Sequence, residues 1–139
     1  MRIAVIDGMG GGIGAQIVTQ LRQEIRDKAE IIALGTNAAA TDRMVRAGAD
    51  KGASGENAIR VSAPTANLIL GPIGIVIPDA MMGEVTGVIA QAVFSSKAEK
   101  LLIPLVQQHF TIIGCESKPM ASLIAQAVQA VKERYSLTS

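Results

Sequence analysis

The sequence predicts an α/β fold in which helices cover both faces of a mostly parallel β-sheet. Short apolar runs that suit buried strands alternate with segments whose apolar residues recur every three or four positions, as on one face of a helix. Glycines stand where the first strand should turn into the first helix. We therefore expect a three-layer domain with a sheet of about five strands, formed by residues 1–139 as a single unit.

Each element has its own signal in the sequence. The runs RIAVI and EIIALG are apolar enough for strands buried on both faces, and Thr36 or Asn37 can cap the helix that follows the second run. Gly48 suits the position just after that helix. In order, the predicted elements are a strand at 2–6, a helix at 13–28, a strand at 30–35, a helix at 38–48, a strand at 66–71, a helix at 79–95, strands at 100–105 and 109–114, and a helix at 118–135.

Three features after residue 49 qualify this pattern. Residues 50–64 are rich in small and polar residues and are predicted to be mostly loop. Gly83 and Gly87 weaken the predicted helix at 79–95. The last two strands are too close in sequence for a helical crossover, so we expect residues 109–114 to return as an antiparallel edge strand.

Composition excludes several classes of partner. The net charge is +1 and the aromatic residues are two phenylalanines and one tyrosine, so nucleic acid is not expected to bind. No apolar run approaches the ~20 residues of a membrane span, and no targeting segment is evident. The single cysteine, Cys115, excludes an internal disulfide and suits a reducing compartment. We expect a cytoplasmic protein.

The segment VIDGMGGGIGAQIV (residues 5–18) carries the main functional signal. Glycines between a strand and a helix allow backbone N–H groups to approach a phosphate, which the helix dipole also attracts. Two known spacings fit: G-x-G-x-x-A from Gly10 to Ala15, and G-x-x-x-G-x-G from Gly8 to Gly14. A tight turn with nothing bound is the alternative. The predicted cofactor-binding residues of this loop are Gly8, Met9, Gly10, Gly11, Gly12, Ile13 and Gly14.

Two further segments are predicted to lie at the same edge of the sheet. Thr36 and Asn37 follow the second strand, where a ribose or adenine would lie, although both are also suited to helix capping. The second strand is not followed by an acidic residue that would bind a ribose 2′-hydroxyl. The small polar residues there, with Arg43 a turn onward, could accommodate a 2′-phosphate, so NADP is slightly favoured over NAD. The loop after the next strand adds Gly71, Pro72, Ile73 and Gly74 as predicted ligand contacts, or as a rigid turn.

The segment DGMGGGIG resembles the T-G-x-x-x-G-I-G motif of the short-chain dehydrogenase/reductase family, with Asp7 in place of the threonine. NLILGPIGIV is similar to the strand of that family that ends in N-N-A-G. The resemblance covers roughly the first 75 residues and implies NAD(P) binding. The catalytic Tyr-x-x-x-Lys pair of that family is missing, because the fourth residue after Tyr135 is Ser139.

Over nearly its full length the chain resembles a family of small bacterial Rossmann-like proteins of unknown function. The segments that carry this resemblance are IDGMGGGIG, IIALGTNAAAT, KGASGENAI and GPIGIVIPDAMMGE. It implies an architecture but no activity.

The sequence leaves the reaction open, including whether there is one. The first hypothesis is a dinucleotide-binding protein, an oxidoreductase or a redox or nucleotide sensor that uses NAD(P). The second is a non-catalytic oligomeric scaffold or regulator, and the third is an enzyme acting on a phosphorylated metabolite, with Asp7 or Asp79 as base. A homo-oligomer joined through residues 75–93 is expected in the first case.

Several other reactive residues have no assigned role. Asp7 can bond the loop amides, or take a metal-linked or an acid or base role. Glu56 lies in a loop that is a lid, a second anion-binding loop or a simple helix cap. His109 and Cys115 are too far apart on an extended strand to form a nucleophile pair, and the usual nitrogen and sulfur ligands do not assemble a metal site.

Overall fold

Five strands form the sheet of this protein, whose computed structural model describes residues 1–104 and 110–137. The strands are β1 (Arg2–Asp7), β2 (Glu30–Gly35), β3 (Lys51–Ser54), β4 (Leu68–Pro72) and β5 (Glu99–Ile103). Their order across the sheet is β3-β2-β1-β4-β5, and every neighbouring pair is parallel. The direction of winding changes between β1 and β4, so the loops after these two strands border a crevice at the carboxyl edge.

The helices cover both faces of the sheet. They are α1 (Gly12–Ile25), α2 (Ala38–Arg46), α3 (Glu56–Ser62), α4 (Gly87–Ser95) and α5 (Met120–Tyr135). Residues of β1 alternate between the two cores: Ile3 and Val5 pack with α1, α2 and α5, whereas Ala4 and Ile6 pack with α3 and α4. This alternation confirms the predicted three-layer fold, with helices on both faces.

The expected antiparallel edge strand is wrong. Within the described part of the 109–114 segment, residues 110–114 form no strand, and His109 lies outside the described residues. The edges of the sheet are the parallel strands β3 and β5. The prediction of a loop at 50–64 is also wrong, because this segment contains β3 and α3. Most residues of β3 are exposed, so backbone pairing with β2 holds it without an apolar pattern.

The helix predicted at 79–95 begins later, at Gly87. Thr86 caps it by accepting a hydrogen bond from the N–H of Ile89 at 3.2 Å. Asp79, Met81 and Met82 have positive φ, which interrupts a right-handed helix. The segment between β4 and α4 therefore begins with a short 3-10 helix (Ile73–Val76) and continues as a loop at the carboxyl edge of the sheet.

The capping prediction at the start of α2 is confirmed. The side chain of Asn37 accepts a hydrogen bond from the N–H of Ala40 at 2.8 Å, and Gly48 follows the helix end with φ +128°. In the described residues, none of the helices has the length and apolar character that spanning a membrane requires.

Candidate functional site

The Asp7 carboxylate organises the loop that joins β1 to α1. One of its oxygens, Oδ1, accepts a hydrogen bond from the N–H of Gly8 at 2.8 Å, and Oδ2 accepts one from the N–H of Gly14 at 2.7 Å. The side chain is 4% exposed, and burial raises its pKa above the ordinary value, against the opposing effect of the Gly14 and Gly8 amides. Asp7 therefore satisfies one amide of the first turn of α1 internally.

Three of the five loop glycines are required by contacts within the protein. A Cβ on Gly8 would lie 2.5 Å from Thr36 Oγ1, and one on Gly11 would lie 2.8 Å from the Cα of Ala40. A Cβ on Gly14 would lie 2.5 Å from Met44 Sδ. All three glycines are buried. At these positions the interpretation as a closely packed turn accounts for the glycine without any ligand.

Gly10 and Gly12 differ from these three glycines because their surroundings are open. The nearest atoms to a Cβ on either would belong to the guanidinium group of Arg43, at 3.9 Å for Gly10 and 3.4 Å for Gly12. The N–H groups of Gly10, Gly12 and Ile13 have no acceptor among residues 1–104 and 110–137. The start of α1 thus presents unused donors.

Arg43 brings a positive charge to these donors. It lies on α2, and its Nη1 is 3.4 Å from the carbonyl oxygen of Gly10. Over the described ranges, Arg43 forms no ion pair with a carboxylate, whereas Arg46, one turn further along, pairs with Asp42 at 3.0 Å. A guanidinium beside a helix start is an arrangement that binds phosphate.

The donors on the other side of the loop are occupied by Glu84. Its Oε1 accepts hydrogen bonds from the N–H of Met9 at 2.8 Å, from the hydroxyl of Thr36 at 2.6 Å and from Nδ2 of Asn37 at 2.8 Å. The Thr36 hydroxyl, followed by the Met9 amide, holds the pKa of Glu84 below its ordinary value. The structure therefore brings the predicted residues Met9, Thr36 and Asn37 together around a carboxylate of the protein itself.

Glu84 was not among the residues predicted from the sequence. It belongs to the loop after β4, within the 75–93 segment that is predicted to join subunits. A signal was present, since an acidic residue is missing after the second strand and this loop starts at the same edge of the sheet. What the sequence does not reveal is how far the loop extends across that edge.

The remaining predicted residues lie beneath this loop. Gly71 and Pro72 are buried at the end of β4, and a Cβ on Gly71 would lie 2.3 Å from the carbonyl oxygen of Ile6. Gly74 is buried against the side chains of Ala80 and Met81. Gly71, Pro72 and Gly74 are thus enclosed by other atoms of the protein, whereas Ile73 is partly exposed.

Other sequence candidates are not brought to this site. Cys115 is exposed and follows β5, and the strands β1 and β4 separate β5 from β2 in the sheet. Glu56 begins α3 after the edge strand β3 and is exposed. In the described part of the chain, His, Cys, Asp and Glu side chains do not form a group of three or more that is suited to hold a metal ion.

The fold and this loop define a Rossmann-like α/β protein with a glycine-rich turn between its first strand and first helix. The chain belongs to the family described as "Domain of unknown function (DUF3842)", whose model matches residues 2–136. This membership confirms the predicted relationship to a Rossmann-like family of unknown function, while the resemblance to short-chain dehydrogenases/reductases stays a prediction.

Comparison with solved structures supports the fold. The chain is similar to a dodecameric FMN-dependent UbiX-like decarboxylase from Escherichia coli O157:H7, with a TM-score of 0.57 and 13% identity over 100% of this chain and 96% of that one. At this identity the similarity shows the fold alone. The comparison with curated protein sequences gives no match.

Proposed function

We propose that this protein binds a phosphate-bearing nucleotide cofactor at the glycine-rich loop. The phosphate would accept hydrogen bonds from the N–H groups of Gly10, Gly12 and Ile13 and pair with the guanidinium of Arg43. The observation that carries this proposal is the coincidence of unused amides, open space above two glycines and a guanidinium without a carboxylate partner in the described residues. The sugar and base would extend toward Thr36 and Asn37, as in other Rossmann-like proteins.

NAD(P) is the first candidate cofactor, because the glycine spacing fits both dinucleotide motifs. FMN is the second, and the observation in its favour is that the structurally similar decarboxylase is FMN-dependent. Both carry the phosphate that the loop would bind. A reaction is not part of this proposal, because the Tyr-x-x-x-Lys pair is missing from the sequence.

Calorimetric titration with NAD, NADP, FMN and AMP tests the proposal. We expect a micromolar partner for the wild-type protein, and binding at least about tenfold weaker for Arg43→Gln, since a charge-assisted hydrogen bond contributes about 1.5–3 kcal/mol. Arg46→Gln is the matched control, because it removes the same charge from the next turn of α2. Absence of binding in the wild type and also in Glu84→Gln and Glu84→Ala refutes the proposal. Equal weakening of binding by both arginine variants refutes it as well.

We also propose that the protein is a homo-oligomer joined through the surface predicted at residues 75–93. Two apolar side chains of this segment are exposed, Met82 by 92% and Val88 by 44%. Light scattering after size exclusion should show more than one copy for the wild type and a smaller mass for Val88→Arg. Val45→Arg, on α2 at the other face of the sheet, should keep the wild-type mass. A monomeric wild type refutes this part.

A further inference from the structure

The loop after β4 lies over the crevice that the cofactor would enter. Its two ends are anchored in the core, because Ile75 and Val85 are both 0% exposed. Between them, residues 79–84, here called the strap, carry no fully buried residue, and Met82 is 92% exposed. The strap is therefore held less firmly than its ends, although Ala80 and Met81 pack against the core and its opening would uncover that part of the apolar surface.

The backbone of the strap is strained. Asp79, Met81 and Met82 have φ of +67°, +58° and +57°, and Gly83 has φ +89°. A left-handed conformation is unfavourable for residues with a side chain and persists where surrounding contacts impose it. Two sets of contacts hold the strap in this conformation. One is its own backbone hydrogen bonds, such as that from the N–H of Asp79 to the carbonyl oxygen of Val85 at 2.7 Å. The other is the hydrogen bonds that the Glu84 carboxylate accepts from Met9, Thr36 and Asn37.

The charges of the closed arrangement oppose a phosphate. Asp7 and Glu84 supply two carboxylates beside the loop, against the one guanidinium of Arg43. These charges affect one another, since the charge of Glu84 raises and that of Arg43 lowers the pKa of Asp7. Moving Glu84 away would leave one carboxylate, one guanidinium and the positive end of the α1 dipole, a balance that accepts an anion far better.

We propose that the strap is an autoinhibitory device, in which the Glu84 carboxylate occupies the donors of Met9, Thr36 and Asn37 until a phosphate-bearing cofactor displaces it. This inference rests on the proposed function, because it assumes that the same crevice receives the cofactor. Glu84 acts as an internal substitute for the ligand: its Oε1 takes three hydrogen bonds that the sugar or phosphate of the cofactor would otherwise accept. The apparent affinity of the site is then reduced by the fraction of molecules in which the strap is open.

The test compares Glu84→Gln and Glu84→Ala with the wild type by calorimetric titration with NAD, NADP, FMN and inorganic pyrophosphate. We expect affinity to rise in the order wild type, Gln, Ala, with a gain of at least about tenfold for the alanine variant. Asp27→Asn is the control, because it removes one negative charge from an exposed residue beyond the other end of α1 and should bind as the wild type does.

Hydrogen exchange of the wild-type protein provides a second measurement. Saturation with whichever of these four compounds binds should accelerate exchange in residues 79–84, because their contacts with the loop are released. The same acceleration should be present without any compound in Glu84→Ala.

The outcomes separate this inference from the proposed function. Equal affinities for the wild type and both Glu84 variants overturn the proposed autoinhibition by the strap and leave the proposal of cofactor binding intact. Weaker binding by Glu84→Ala overturns it too, since Glu84 would then be a direct cofactor contact. Slower exchange of residues 79–84 on binding would mean that the strap closes over the cofactor, which also contradicts the inference. Binding by no variant overturns both.

Discussion

The five loop glycines make the sharpest test of how this protein uses its first turn. Gly11→Ala and Gly12→Ala add the same methyl group at neighbouring positions. At Gly11 the new Cβ would lie 2.8 Å from the Cα of Ala40, and the residue has φ +72°. At Gly12 it would meet only the end of the flexible Arg43 side chain, at 3.4 Å.

These contacts translate into different free energies of unfolding. Gly11→Ala combines about 1–2 kcal/mol for a left-handed non-glycine residue with about 1–3 kcal/mol for overpacking against rigid backbone. The sum, about 2–5 kcal/mol, should lower Tm by roughly 6–25 °C for a chain of this size. Gly12→Ala should change the free energy of unfolding by less than about 1 kcal/mol, because alanine is favourable in a helix and Arg43 can rotate away.

Binding should show the reverse ranking. The added methyl of Gly12→Ala would hold a phosphate away from the loop amides, so the Kd for the best compound of the titration panel should rise at least about tenfold, which corresponds to about 1.4 kcal/mol. Thermal unfolding by circular dichroism and calorimetric titration of the same samples measure both quantities. A Gly12→Ala variant that binds as the wild type does would refute the assignment of this glycine to a ligand. A stable Gly11→Ala variant would refute the packing argument.

Three further predictions concern stability. Glu84→Gln should flatten the loss of stability as pH falls below the ordinary glutamate pKa of 4.5. In the wild type, the lowered folded-state pKa of Glu84 stabilises the native state above that value, and this contribution is lost as pH falls through the folded-state pKa. Urea unfolding at several pH values measures the difference. Asp7→Asn should change the pH dependence of stability in the opposite sense. The raised folded-state pKa of Asp7 favours the native state below the ordinary value of 3.8, and this contribution is lost as pH rises through the folded-state pKa. A variant that keeps the wild-type pH profile of stability in this range would contradict the burial of this carboxylate. Met44→Ala should lower the free energy of unfolding by about 2–5 kcal/mol, because Met44 is 0% exposed and packs against Gly14; a loss below about 1 kcal/mol in chemical denaturation would show that this contact is loose.

The fold was predictable where side chains decide the structure. β1, β2 and β4 are buried on both faces, so their apolar runs identify them, and Asn37 marks the start of α2 by a local hydrogen bond. β3 was not predictable in this way. It is a four-residue edge strand with mostly exposed residues, and the hydrogen bonds that define it come from β2. The residue pattern of β3 alone does not indicate that β2 will lie beside it and supply the hydrogen bonds of the strand.

The site was predictable to the level of its loops. Parallel strands bring their carboxyl ends to one edge, so Met9, Thr36 and Asn37 were expected to lie together, and the hydrogen bond from Nδ2 of Asn37 to the carbonyl oxygen of Met9 at 2.9 Å joins the two loops. For Glu84 the sequence indicates only the edge at which its loop starts, because its final position depends on backbone angles in the strap that the residue types there disfavour. Long-range contacts select that conformation against local preference.

The number of glycines in a glycine-rich loop is therefore a poor measure of its contact with a ligand. Gly8, Gly11 and Gly14 are needed for the approach of Thr36, Ala40 and Met44, so an identical spacing would be required even if nothing ever bound. Only Gly10 and Gly12, where an added methyl group would lie next to the Arg43 guanidinium, carry information about a ligand. Asp7 and Glu84 satisfy three of the loop amides within the protein itself. A cofactor bound as proposed would therefore have to compete with the Glu84 carboxylate for the hydrogen bonds on that side of the crevice.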